Sequence, residues 1–142
     1  MRNIISALAY FQENNCPHTL VRPDTIISFG SAFKIIDPIL VGFFQDNLDI
    51  ARSTKSPEDK RLLSNELSAG LRDGNVKPHD KFKDDVYAFG VLFVDAASLN
   101  LDPNISVREK IETSTYYYSK SFISIVNKMT ESVTFLRPDP IE

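Results

Sequence analysis

DDVYAFGVLFVDAASL, residues 84–99, is the most apolar stretch of the chain, and the architecture turns on it. From Val86 through Ala97 the apolar side chains lie nearly all round a helical wheel, as in a helix enclosed on every side. A central buried helix over 83–99 is therefore expected, with the other elements wrapped about it. At the N-terminus, Ile4, Leu8 and Phe11 form one helical stripe with Ile5, Ala9 and Gln12 beside it, and Asn14-Asn15 before Pro17 ends it, so residues 1–15 read as an amphipathic helix. IIS at 26–28 and FKII at 33–36 are β-rich runs joined by Phe29-Gly30-Ser31-Ala32, a hairpin over 26–36. Residues 38–61 begin apolar, turn polar and charged, and keep no sustained period, as a long loop does. LLSNELSAGL, residues 62–71, reads as a short helix stopped near Gly70, and RDGNVKPHDK, residues 72–81, as a loop. Two further helices are expected at about 106–113 and 119–130, within a final region of late helices and tail over 105–142. The fold class that follows is mainly α with a small β-hairpin, an α+β domain.

Composition narrows the partners. With 142 residues the chain makes one domain, and 42% hydrophobic and 25% charged residues are ordinary for a globular protein. A net charge of −3 supplies neither a basic field for nucleic acid nor a cationic face for a membrane. No apolar run approaches the roughly 20 residues that cross a bilayer, so no membrane insertion is expected. Met1-Arg2 followed by IISALAYF has the outline of a short secretory signal, with Ala7 and Ala9 at an A-x-A spacing. Its apolar run is at the short end of a signal core, and the amphipathic helix is the better reading. The single cysteine, Cys16, leaves no intrachain disulfide and no thiolate cluster for zinc, which favours an intracellular, reducing compartment.

The order of elements and a set of short motifs resemble the C-terminal lobe of a eukaryotic protein kinase. In the stretch CPHTLVRPDT, residues 16–25, His18 stands at the histidine of the family's H-R-D-L-x-x-x-N pattern, Thr19 at the arginine, Leu20 at the aspartate and Thr25 at the asparagine. Arg22-Pro23 falls where the family has Lys-Pro. Asp37-Pro38-Ile39 occupies the place of D-F-G, and Ser64-Asn65-Glu66 that of A-P-E. Residues 85–90, DVYAFG, look like the family's D-V-x-x-F-G helix start, and Arg137-Pro138 like its late Arg-Pro. The resemblance implies a degenerate catalytic loop at 16–25, an activation-segment-like loop at 37–66, and no N-lobe, because nothing upstream of residue 1 supplies the Gly-rich loop, the phosphate-binding lysine or its helix glutamate.

What departs from the family's pattern is the chemistry. Phosphoryl transfer needs a carboxylate at the substrate hydroxyl, and an amide oxygen with a second carboxylate on magnesium. Leu20 cannot accept a proton, Thr25 is a poor substitute for the asparagine, and Asp37 alone makes a weak metal ligand set. No enzyme activity, cofactor or bound metal is therefore expected. What is kept has structural readings. His18 reads as a packed core histidine, since the other histidine, His79, is far along the chain in a polar loop. Asp85 reads as the cap of the central helix and, as the resemblance implies, as a partner for the backbone of the 16–25 loop. The resemblance also implies that Glu66 and Arg137 form a buried ion pair tying the activation segment to the late helices. The run Ser53-Thr54-Lys55-Ser56-Pro57 is a loop-borne phosphorylation candidate, but Thr19 has replaced the arginine that would receive the phosphate. Tyr116-Tyr117-Tyr118 could form a contact patch, but half-buried aromatics leading into a helix are the commoner case.

The function expected is that of a non-catalytic, pseudokinase-like interaction or structural module, a subunit of a larger assembly. The alternative is a fragment of a longer regulatory pseudokinase that retains nucleotide binding. Without an N-lobe, Leu20, Ile27 and the run Pro38, Ile39, Leu40 and Val41 would face water, so a protein partner is expected to cover them. Replacement of Asp by Leu at position 20 fits a dry interface, because it removes a charge that would have to be desolvated.

Overall fold

Arg2–Glu13 forms the first helix, α1, whose stripe of Ile4 and Leu8 is buried, while Ile5 and Tyr10 stand exposed on its other side. The computed structural model describes residues 2–36 and 60–141. After α1 the chain reverses at Asn15, at φ 52°, and passes through a 3-10 turn at Pro23–Thr25. Strands β1 (Ile26–Phe29) and β2 (Ala32–Ile35) then pair antiparallel, Ile26 opposite Ile35 and Phe29 opposite Ala32. Gly30, at φ 58°, supplies the left-handed turn that a residue with a Cβ adopts only under strain.

The remaining helices are α2 (Asn65–Asp73), α3 (Lys81–Ser98), α4 (Val107–Ser114) and α5 (Lys120–Met129). The described residues are thus mainly helical with one small two-stranded antiparallel sheet, an α+β arrangement. Three of these helices start at serines whose hydroxyls accept a first-turn N–H: Ser64 from Leu67, Ser106 from Glu109 and Ser119 from Phe122. At Ser106 the carboxylate of Glu109 reaches back to the Ser106 N–H, which closes a capping box.

Helix α3 is the centre. Val86, Phe89 and Val91 meet Ile4 and Leu8 of α1 and Met129 of α5, while Val94 meets Ile111 of α4 and Val126 of α5. Gly90 lets α5 come close: a Cβ there would sit 2.8 Å from the Cβ of Met129.

The fold corrects four expectations. Helix α2 does not stop near Gly70 but runs to Asp73, and Gly74, at φ 72°, makes its left-handed C-cap. Gly70 is a packing residue instead, since a Cβ would fall 2.3 Å from Cγ2 of Val76, where the chain folds back on the helix. Asp85 is not the cap of α3, because the helix begins four residues earlier and Asp80 accepts the Phe82 N–H. Tyr116 and Tyr117 are not half-buried; each is 85% exposed, on the turn between α4 and α5. Leu20 does not face water and is only 7% exposed. The candidate residues Asp37, Pro38, Ile39, Leu40 and Val41, and the run 53–57, lie outside the described residues.

Candidate functional site

Residues 16–25 are held to α3 by one carboxylate. Oδ2 of Asp85 accepts the backbone N–H of His18 and Oδ1 that of Thr19, both at 2.7 Å. Thr19 takes φ 64°, so the chain turns sharply just after the two clamped N–H groups. Asp85 is almost wholly buried, and that burial pushes its carboxyl up from 3.8 to about 8 against the two N–H bonds, which hold it down.

The histidine beneath this clamp is a structural link. His18 is fully buried, with Nε2 at 2.6 Å from the Ile36 carbonyl and Nδ1 accepting the Leu20 N–H at 3.3 Å. These partners assign the proton to Nε2 and leave Nδ1 as acceptor, so the ring bridges the loop and the end of the hairpin. Phe11 packs against it at 5.5 Å between ring centroids. The hydroxyl of Thr25 donates to the Leu20 carbonyl at 2.8 Å and accepts the Arg22 N–H at 3.1 Å. Thr25 is buried and closes the loop upon itself. Leu20 turns into the space between the loop and the helices, where a cavity of only about 30 Å³ is lined by Leu20, Leu62, Leu63, Leu67 and Ala88. The carboxylate that the loop does carry, Asp24, is exposed and pairs with Arg22 at 3.2 Å. Within this loop the described geometry has no acidic group directed at a common reacting point, and no cluster of three metal-ligating side chains occurs among the described residues.

A second set of residues locks the tail to α2 and α3. Nη2 of Arg137 lies 3.1 Å from Oε2 of Glu66, while its Nε donates to the Glu131 carbonyl at 2.7 Å and its Nη1 to that of Lys83 at 3.4 Å. The guanidinium also covers the Tyr87 ring at 4.9 Å, and Arg137 is fully buried. Glu66 is less enclosed than expected, its side chain being 23% exposed. Burial raises its carboxyl, but the Thr134 hydroxyl, its own backbone and Arg137 together hold it below the usual carboxylate value. Lys83 completes the lock, donating to the Arg137 carbonyl at 2.7 Å and pairing with Asp139 at 2.6 Å.

Sequence reasoning missed His79, Asp84, Asp95 and Lys110. His79 does not stand apart in a polar loop: its Nε2 is 2.5 Å from Oδ2 of Asp84, and its Nδ1 is 2.8 Å from the Lys77 carbonyl. Both nitrogens face acceptors, a geometry satisfied only by the doubly protonated ring, and the bond to Asp84 raises the His79 pKa. A group raised in the folded state contributes stability that is complete below its unfolded value of about 6.5 and fades as pH rises through the folded value. Between pH 6 and pH 9 the parent should therefore lose about 1–2 kcal/mol more in chemical denaturation than His79→Phe, the fall that Asp85 causes being common to both. An equal fall in the variant would assign the pH dependence elsewhere.

Asp95 is shared by Lys110 at 2.7 Å and by Arg61, whose Nη1 is 2.9 Å from both carboxylate oxygens. A signal for it was present, since a charge inside so apolar a helix requires partners once buried. Among the described residues no helix is long and apolar enough to cross a membrane. Compared with protein-family models, with curated proteins and with solved structures, the chain matches none.

Proposed function

We propose that this chain is a catalytically inactive, protein-kinase-like C-lobe that serves as an interaction or structural module in a larger protein assembly. One observation carries the reading: a carboxylate on the central helix clamps the backbone of the 16–25 loop at His18 and Thr19, while the position where the kinase family has its catalytic aspartate holds a buried leucine. The loop's framework is that of a catalytic loop, and its chemical positions are apolar or bonded inward. The Glu66–Arg137 pair, which joins the ends of two segments far apart in sequence, supports the same resemblance.

The partner surface in this reading is the hairpin rather than Leu20. Ile27 and Phe33 are each 41% exposed and Phe29 more so, with the Lys34 ammonium 5.3 Å from the Phe29 ring centroid. A two-stranded hairpin is marginal by itself, and aromatic and aliphatic side chains left on it favour contact with another protein surface. The half-exposed Cys16 suits a reducing compartment.

The test is functional and direct. The chain should transfer no phosphate from ATP to a protein substrate and should show no saturable binding of a fluorescent ATP analogue with magnesium. Leu20→Asp should leave both results unchanged, because a carboxylate there would be driven into the contact with Leu62, Leu63 and Leu67 and destabilise the fold. Micromolar nucleotide binding by the parent chain would instead support a regulatory pseudokinase that keeps its nucleotide, and phosphotransfer would overturn the proposal outright.

A further inference from the structure

Helices α1 and α5 both pack on α3 but leave a trough between them. Its floor is part of the core: Leu8, Val86, Phe89 and Met129. Its rims are Ile5, 43% exposed, and Ile125, 54% exposed. The tail at Pro138–Pro140 lines the remaining side, and the volume is about 360 Å³. The close approach of Met129 to Gly90 sets α5 close on α3 at this side of the trough.

The charges at this trough are unequal. Asp139 is neutralised by Lys83 at 2.6 Å. Lys128, on the α5 side, lines the trough and has no ion-pair or hydrogen-bonding partner for its ammonium among the described residues. An apolar hollow with one uncompensated cation at its edge is complementary to an anionic head on an apolar tail. The volume is at the low end for small-ligand sites, whereas a helix about 10 Å across needs a wider and longer trough. The lining is chiefly aliphatic with a methionine, which accepts a flexible chain without demanding a particular ring shape.

We infer that the trough between α1 and α5 binds a single-chain carboxylate amphiphile of the fatty-acid class, its tail on Leu8, Val86, Phe89 and Met129 and its carboxylate at Lys128. This does not depend on the kinase-like reading, since it uses neither the 16–25 loop nor the hairpin. Binding buries methylenes one after another, so affinity rises by about fourfold for each carbon until the trough is full. The head group adds a preference for negative charge.

Calorimetric titration with octanoate, decanoate and dodecanoate, each kept below its micellar range, reads the tail. Dodecyltrimethylammonium, with the same tail and the opposite head, reads the charge. Saturable 1:1 binding that tightens along the carboxylate series, with dodecanoate preferred over the cation by at least fivefold, is the expected result. Lys128→Glu should reverse the head-group preference and keep the chain-length dependence, and Ile125→Glu should weaken every ligand at least tenfold. Both side chains are exposed on α5, so far-UV circular dichroism of each variant should match the parent. Absence of saturable binding, affinity independent of chain length, or a head-group preference untouched by Lys128→Glu would each overturn the inference. So would saturation by an amphipathic Leu/Glu 15-residue peptide that dodecanoate does not displace, which would assign the trough to a helix.

Discussion

Arg137→Ala is expected to lower the unfolding free energy by about 3–5 kcal/mol, a large share of what a domain of this size possesses. The ion pair with Glu66 is the lesser part. Glu66 is partly open to water, so an unpaired carboxylate there is partly solvated. The larger part is the set of acceptors that the guanidinium serves, the carbonyls of Lys83, Glu131 and Ser132, together with the space left beside Tyr87. Glu66→Gln should therefore cost less than half as much as Arg137→Ala in urea denaturation. Equal losses in the two variants would place the energy in the pair itself, and an Arg137→Ala curve superimposed on the parent would mean that the lock is not formed in solution.

Asp85→Asn is expected to destabilise by about 2–4 kcal/mol at pH 6, because one amide oxygen can accept only one of the two N–H groups and the amide NH2 is then directed at the other. Its pH dependence is the sharper test. The folded value of Asp85 stands at about 8, above its ordinary 3.8, so its contribution is complete below about 3.8 and is lost as pH rises through 8. The parent should lose stability over that interval relative to the variant, and the gap between them should narrow toward pH 9. Denaturation midpoints of both proteins measured from pH 5 to pH 9 give the difference directly, with the effects of His79 and Glu66 common to both. A gap that stays constant from pH 5 to pH 9 would mean that the two N–H groups outweigh burial and hold an ionised carboxylate.

The contrast between Asp85 and the helix that carries it marks where sequence reading stops. The apolar run from Val86 to Ala97 determined by itself that a helix forms and that it lies at the centre, because burial on every face needs apolar residues at every angle of the helical wheel. The stripe of Ile4 and Leu8, the hairpin about Gly30 and the serine-capped helices α4 and α5 were legible for the same reason, as each signal is complete within one or two turns of chain. Which group Asp85 serves was not decided locally: His18 lies 67 residues away, and Glu66 is 71 residues from Arg137. Only the resemblance to a known family suggested those pairs, and nothing comparable suggested His79 with Asp84 or Asp95 with Lys110. The end of α2 shows the limit at short range, since Gly70 and Gly74 are equally plausible stops until Val76 folds back against the first. Exposure was decided last of all. Leu20 is buried and Tyr116 and Tyr117 are open because α2, α3 and the loop converge on one and leave the other two at a turn, and the free energy of burying a side chain depends on the neighbours that the folded chain brings to it.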